Sequence, residues 1–297
     1  MKEENLLTVI VPAFNESQSL PLLLQELIPY CDERSWEIIV VNDGSNDGSK
    51  EILSHYQGNE GFRIIHHKLN KGYGAALKSG LMACNTRYAV TIDADGQHFL
   101  GDIDRLLDSM NTNDADLVVG SRKGLVQRSS YRGMGKTIIR FLAKMMMTVP
   151  IHDLNSGMKI YNTAMAQKYL HLAPDTMAFS DIITLVFINN RHLVMEEPIR
   201  IRERKFGNST IGLQTAFQTI MEILNIVILF NPMKIFLPLS LICFFITGLW
   251  GIPLLIQGRG LSIGSLLGVI LGILLFLLGL IAEQLSQIRR NSAFPLN

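Results

Sequence analysis

Two runs without a charged side chain close this sequence: IFLPLSLICFFITGLWGIPLLI (235–256) and LSIGSLLGVILGILLFLLGLIA (261–282). Each holds roughly 22 residues, enough as a helix to cross a hydrocarbon core of about 30 Å. Only QGRG separates them, so they read as a tight transmembrane hairpin. Lys234 precedes the first run, Arg289 and Arg290 follow the second, and Arg259 alone lies in the turn. The excess of basic residues at the open end places both chain termini in the cytosol. Residues 234–297 are therefore expected to form a membrane domain in a cell (inner or plasma) membrane.

The rest of the chain reads differently. Its first residues, MKEENLLTVIVPAFNES, have a short apolar run preceded by acids, which is not the pattern of a signal peptide. The N-terminal part is expected to stay in the cytosol. The net charge of +1 provides no basic field for nucleic acid. Cys31, Cys84 and Cys243 are odd in number and far apart, which suits free thiols in a reducing compartment rather than a disulfide framework or a zinc site.

Residues 1–210 alternate strand and helix patterns. LLTVIVPAF, WEIIVVNDGS, FRIIHH, RYAVTIDADG and ADLVVGSR read as strands, and helical segments separate them. LVMEEPIRIR reads as a further strand. Strands apolar on both faces imply an α/β fold, a mostly parallel sheet with helices on each side. Two amphipathic helices are expected beyond the fifth strand. YRGMGKTIIRFLAKMMM (131–147) either packs on the sheet or lies at a membrane surface. Residues 211–233 read as a juxtamembrane helix.

Ligands of open α/β sheets bind beyond the carboxyl ends of the strands. Polar residues gather at those ends: Asn15 and Glu16, Asn42 and Asp43, Asp93 and Asp95, and Arg122. Asp93 and Asp95 stand two apart, so their side chains can point the same way. Neighbouring carboxylates repel unless a cation lies between them, and Mg²⁺ takes one or two carboxylates while leaving positions to water and phosphate. Gln97 can add an oxygen. By themselves the two acids fit a solvated turn equally well. Glu16 and Asp43 can accept from a base or a ribose hydroxyl, whereas Ser45, Asp47 and Ser49 read as caps and turn residues. NKGYGAALKSG (70–80) lacks the ending of a P-loop and reads as a helix entry beside a nucleotide or as close helix–sheet packing. RERKFGNST (202–210) combines cations, glycine and hydroxyls, as a phosphate-holding turn does.

VIVPAFNE, VVNDGSNDGS, IDADGQH, GSR and RERKFGNST, in this order, resemble family-2 glycosyltransferases of the GT-A fold. The resemblance is closest to polyprenyl-phosphate glycosyltransferases, the group of dolichol-phosphate mannose synthases and undecaprenyl-phosphate glucosyltransferases. It implies a metal-dependent, inverting hexosyltransferase. The donor would be a nucleotide sugar of the GDP-mannose or UDP-glucose type, and the acceptor a dolichyl or undecaprenyl phosphate in the membrane. It further implies that Pro12, Phe14, Asn15, Glu16, Val41, Asp43 and Ala94 line the nucleotide site, with Lys205, Ser209 and Thr210 from the basic turn. Asp93, Asp95 and Gln97 would hold Mg²⁺ or Mn²⁺, and Arg204 the donor diphosphate. Arg122, Arg132 and Lys136 would meet the acceptor phosphate, Arg122 at the reaction centre. Two positions depart from the family: Thr210 stands where a lysine is common, with Lys205 nearby, and Lys159 follows SGM where an arginine is common. The sugar and the nucleotide stay open, and a homo-oligomer is compatible with the sequence.

Two other functions compete. A processive polysaccharide synthase would carry a QxxRW segment near the membrane, and neither Trp36 nor Trp250 lies in one. A non-catalytic membrane adaptor would not need the acid set and the basic turn.

Overall fold

The computed structural model describes residues 6–122, 150–202, 231–258, 260 and 262–291. They fall into two compact units, one on each side of the segment 203–230.

The first unit is built on a sheet of order β3-β2-β1-β4-β6-β5-β7. The strands are β1 (Leu7–Ala13), β2 (Glu37–Asn42), β3 (Phe62–His66), β4 (Tyr88–Thr91), β5 (Leu117–Ser121), β6 (Lys159–Asn162) and β7 (Val194–Pro198). All pairings are parallel except those of β6, which runs antiparallel to both β4 and β5. The helices are α1 (Leu20–Asp32), α2 (Ser49–Ser54), α3 (Tyr73–Ala83), α4 (Gly101–Asn113), α5 (Thr163–Tyr169) and α6 (Phe179–Asn189).

β1 shows why both faces are covered. Leu7, Val9 and Val11 are fully buried in one cluster with Leu24 and Leu27 of α1 and Ile103 and Leu106 of α4. Ile10 points the other way, where a Cβ on Gly80 of α3 would stand 2.4 Å from its Cγ2. Each fully buried aliphatic side chain contributes about 1.5–3 kcal/mol, so a strand apolar on both faces is stable only between two helical layers. The glycines at the start of α3 have a packing role as well: a Cβ on Gly72 or Gly74 would lie 2.4 Å from the carbonyl oxygen of Asp175 or Pro174.

β6 is the strand that the alternation does not reveal. It is four residues long, and it begins with a lysine that is wholly buried. Such a run has no strand signature. It is the register with Thr91 and Val119 that makes Lys159 part of the sheet.

The second unit is a helical hairpin of α7 (Met233–Ile256) and α8 (Ile263–Asn291). Both helices are long and apolar enough to cross a membrane. Glycines let them approach: Gly268 lies against Thr247, Gly272 against the Phe244 ring and Gly279 against Phe236. Ser240 Oγ donates to the Gly272 carbonyl at 2.8 Å. Gly258 and Gly260 take the left-handed backbone of the turn between them. The second helix outruns the apolar segment 261–282 and continues to Asn291. Hydropathy marks where charge returns, at Glu283, but nothing between there and Asn291 breaks a helix.

Candidate active site

The loops after β1 and β2 are joined by side chains. The backbone N–H of Asn15 donates to Ser45 Oγ (3.0 Å), and Asn46 N–H returns to Asn15 Oδ1 (3.0 Å). Glu16 N–H donates to Ser49 Oγ (3.1 Å) and Ser17 N–H to Asp47 Oδ2 (2.9 Å). Asp47 also accepts from the N–H and hydroxyl of Ser49, at the start of α2. Burial opposes ionisation of Asp47, but these bonds outweigh it and hold the carboxyl below its ordinary range. Ser45, Asp47 and Ser49 are thus turn residues that tie the two loops together, while the N-cap of α2 is Gly48, with no side-chain cap. Asn15 sits at φ 55°, a left-handed conformation that asparagine tolerates.

Of the residues expected around a nucleotide, Phe14 is 43% exposed, and Glu16 is half-buried with an oxygen accepting from Ser19 Oγ. Pro12 and Val41 are register partners inside the sheet, and Ala94 is buried. Asp43 is buried, with 3% of its side chain exposed. Its Oδ1 meets His67 Nδ1 at 2.6 Å and accepts from Lys71 N–H at 2.9 Å, while Oδ2 accepts from Gly72 N–H at 2.8 Å. His67 Nε2 continues the chain to Ser79 Oγ at 2.8 Å. Asp43 therefore anchors the loop that enters α3.

Asp93 and Asp95 follow β4, as the spacing predicts. Asp93 keeps 37% of its side chain exposed. Tyr73 Oη donates to its Oδ1 at 2.9 Å, and His98 Nε2 stands 3.4 Å from Oδ2. Partial burial disfavours the charged carboxylate, but the His98 and Tyr73 bonds and the Arg122 charge outweigh it, so its pKa is lowered. Asp93 is therefore an anion at neutral pH. Burial and the Asp93 charge push the Tyr73 hydroxyl well up, which keeps it a donor. Asp95 Oδ1 accepts from Gln97 N–H at 3.1 Å, which folds the acid turn. Gln97 Nε2 donates to the Arg202 carbonyl (3.3 Å), and Arg202 N–H donates to the Gln97 carbonyl (2.8 Å). The acid turn thus holds the chain where it enters RERKFGNST.

Arg122 lies just past β5. Its Nε and Nη2 meet Asp153 Oδ2 and Oδ1, and Nη2 also donates to the Asn155 carbonyl at 2.9 Å. The pairing keeps the guanidinium charged, and part of it remains accessible, with 29% of the side chain exposed. Asp153 and Gly157, which sequence reasoning did not single out, and Lys159, noted there only as a departure from the family, adjoin this corner of the site. The signal available was SGMKIY after the acids, a glycine and a lysine beside a strand. Lys159 Nζ donates to the Leu154 carbonyl (2.6 Å), the Ser180 carbonyl and Thr184 Oγ1 (2.7 Å). Burial pushes its pKa down to about 7, against the pull of Asp181 and Asp153.

Arg204, Lys205, Ser209 and Thr210 lie outside the described residues, as do Arg132, Lys136 and the segment 131–147; of the expected helix 211–233 only 231–233 are described, and Met233 already begins α7. Among the described residues no cluster of three or more His, Cys, Asp or Glu side chains could hold a metal ion.

This fold recurs in solved structures. A glucosyl-3-phosphoglycerate synthase from Mycobacterium tuberculosis, crystallised with Mn²⁺, uridine diphosphate and glucosyl-3-phosphoglycerate, superposes with a TM-score of 0.55 at 17% identity, over 76% of this chain and 80% of that one. The likeness identifies the fold as GT-A. By sequence the chain belongs to glycosyl transferase family 2, whose model matches residues 8–170. A second model, the GtrB C-terminal hairpin, matches residues 231–288, which hold α7 and most of α8. The polyprenol monophosphomannose synthase of Mycolicibacterium smegmatis is 32% identical over 69% of this chain and 80% of its own length. The dolichyl-phosphate beta-glucosyltransferase of Dictyostelium discoideum is 31% identical over 54% of this chain; the match spans 55%, about half, of that relative's length.

Proposed function

We propose that this protein is a membrane-anchored, inverting glycosyltransferase that moves a hexose from a nucleoside-diphosphate sugar to a polyprenyl phosphate. The observation that carries this reading is the joint presence, in one family-2 chain, of the acids Asp93 and Asp95 beyond β4 and a hairpin able to cross a membrane. Relatives named for dolichyl and polyprenol phosphates support the acceptor class.

The donor set fits a hard divalent cation. Two carboxylates, one held ionised and accessible, meet what Mg²⁺ or Mn²⁺ asks of a protein when a diphosphate and water fill the other positions. A bound cation would stabilise the negative charge that develops on the departing nucleoside diphosphate. The chain's own residues do the rest. Asp93 and Asp95 supply the anionic ligands, with Gln97 beside them. The turn holding Arg204 and Lys205 enters next to the acid turn, through the Gln97–Arg202 bonds, and would bind the diphosphate. Arg122, braced by Asp153, would face the acceptor phosphate. A phosphate monoester has a second pKa of about 6, so its oxygen is already anionic at pH 7. The site therefore needs cations to bring two anions together more than it needs a general base. Attack by that oxygen in a single displacement inverts the anomeric centre.

The hairpin would place both chain ends in the cytosol, with Arg259 across the membrane. Residues 1–210 would form the catalytic domain and 211–233 a juxtamembrane helix.

The test is direct. Purified protein in detergent is incubated with radiolabelled UDP-glucose, UDP-galactose or GDP-mannose, with undecaprenyl or dolichyl phosphate and Mn²⁺. The expected result is an organic-soluble labelled lipid with at least one donor, absent for Asp95→Asn and after chelation. Label confined to water-soluble products across a full donor panel overturns the reading.

A further inference from the structure

Three separate pieces of chain enclose the Asp93 carboxylate. Tyr73, the first residue of α3, donates to Oδ1 at 2.9 Å. His98, 5% exposed at its side chain, closes the Oδ2 side. The third wall is an absence of atoms. A Cβ on Gly157 would lie 2.1 Å from Asp93 Oδ2, 2.6 Å from Cγ and 2.7 Å from Oδ1. Real Cβ atoms essentially never approach below 3.0 Å, so any side chain there displaces the carboxylate or the backbone.

The backbone alone does not call for glycine at this position. Gly157 is not among the residues with positive φ. Nor can the segment easily retreat. The Gly157 carbonyl accepts from Thr91 Oγ1 at 2.8 Å, and Thr91 is two residues from Asp93 on the same strand end. The Ser156 carbonyl accepts from Ser180 Oγ at 2.7 Å, and the Leu154 carbonyl from Lys159 Nζ at 2.6 Å. Residues 154–157 are thus pinned to β4, α6 and β6, and the gap left by the missing side chain is filled by Asp93.

We propose that Gly157 and Tyr73 are positioning residues for the divalent cation: Gly157 by leaving the space that the Asp93 carboxylate occupies, Tyr73 by fixing the rotation of that carboxylate through Oδ1. The inference rests on the reading of Asp93 as a cation ligand. A ligand held by outer contacts binds without first ordering itself, and loss of such contacts typically weakens metal affinity about 10- to 100-fold.

The experiment measures Mn²⁺ binding to the full-length protein in detergent, with UDP and in parallel with GDP, by the electron paramagnetic resonance signal of free Mn²⁺. Asp93→Asn, Gly157→Ala and Tyr73→Phe are compared with the parent chain, each with a thermal unfolding curve. The expected result is a Kd raised about tenfold or more by Asp93→Asn and by Gly157→Ala, and a few-fold by Tyr73→Phe. If Asp93→Asn binds Mn²⁺ as the parent does, the cation reading falls and this proposal with it. If Asp93→Asn loses the ion while the other two keep parental affinity, the positioning proposal alone is overturned. If Gly157→Ala does not fold, Tyr73→Phe decides: a raised Kd with an unchanged unfolding curve supports the proposal, and parental affinity overturns it.

Discussion

Arg122 and Asp153 meet at two points, Nε to Oδ2 at 2.6 Å and Nη2 to Oδ1 at 2.7 Å. Asp153 is in turn seated by Glu196, which accepts its backbone N–H at 2.9 Å. The fork aims one edge of the guanidinium and fixes its position beside Asp93. Lysine cannot reproduce that geometry. Arg122→Lys and Asp153→Asn should each lower kcat by about 10- to 100-fold. Because both break one unit, the double variant should cost little more than either. Steady-state kinetics of the cycle check this, and full additivity would show that the pair does not act as a unit.

Lys159 gives the first unit a pH dependence of known sign. Its pKa is pushed by burial from 10.5 to about 7, while the unfolded chain keeps the ordinary value of about 10.4. Between those values the unfolded chain binds more protons than the native one, so this group's contribution to stability rises with pH from about 7 toward 10. Below about 7 both states are protonated and the slope vanishes. Lys159→Met should remove that slope. It should also lower stability by roughly 1–3 kcal/mol through the acceptors it leaves unpaired. Unfolding temperatures of the two proteins at pH 6, 7.5 and 9 are the measurement. A parent-minus-variant difference that stays flat would show that Asp181 and Asp153 hold the proton on Lys159.

How much of this was legible in the sequence differs by element. β1 to β5 could be read because both their faces are apolar and turn residues follow each one. The polar residues at their ends could be read because parallel strands all end on the same edge. β6 could not, since a buried lysine in a four-residue strand looks like a loop until its partners are known. The acids were visible as a pair, but the neighbours that hold Asp93 come from 20 to 64 residues away in sequence, or only five in the case of His98. No local pattern links Gly157 to Asp93. Asp43 shows the converse: its place beside a glycine turn suggests a ligand contact, and the structure adds what no local pattern shows, that it accepts from Lys71 and Gly72 N–H.

That placement separates two effects of Asp43→Asn. An amide cannot accept on both sides, so one of the buried N–H donors would face an NH₂ group. Leaving a buried donor unpaired costs about 1–3 kcal/mol. The unfolding temperature should therefore fall, with donor KM changing only in step with loosening of the loop at Lys71. A raised donor KM at an unchanged unfolding temperature would instead make Asp43 a direct nucleotide contact.

Topology follows from charge. Cysteine introduced at Ser262, in the turn between α7 and α8, should react with an impermeant maleimide on intact cells. Cysteine at Ser292, beyond Arg289 and Arg290, should react only after permeabilisation. The opposite pattern would invert the membrane orientation and place the catalytic unit outside.

The acceptor site is expected where the catalytic domain meets the membrane, because a polyprenyl phosphate keeps its head at the bilayer surface. Arg132 and Lys136 lie four apart in the basic, Met-rich segment 131–147, so a helix there would place them on one face. Charge-assisted hydrogen bonds to a phosphate are worth roughly 1.5–3 kcal/mol each. Removing two should weaken acceptor binding about a hundredfold or more, since 1.4 kcal/mol is a factor of ten. Donor binding should barely change, because on the proposed reading it rests on the acid turn and Arg204. The double variant Arg132→Ala with Lys136→Ala is assayed first against varied undecaprenyl phosphate and then against varied donor. A raised acceptor KM with a constant donor KM is the expected outcome. If donor KM rises while acceptor KM holds, the segment does not bind the acceptor, and the alternative of an amphipathic segment packed by its apolar side stands.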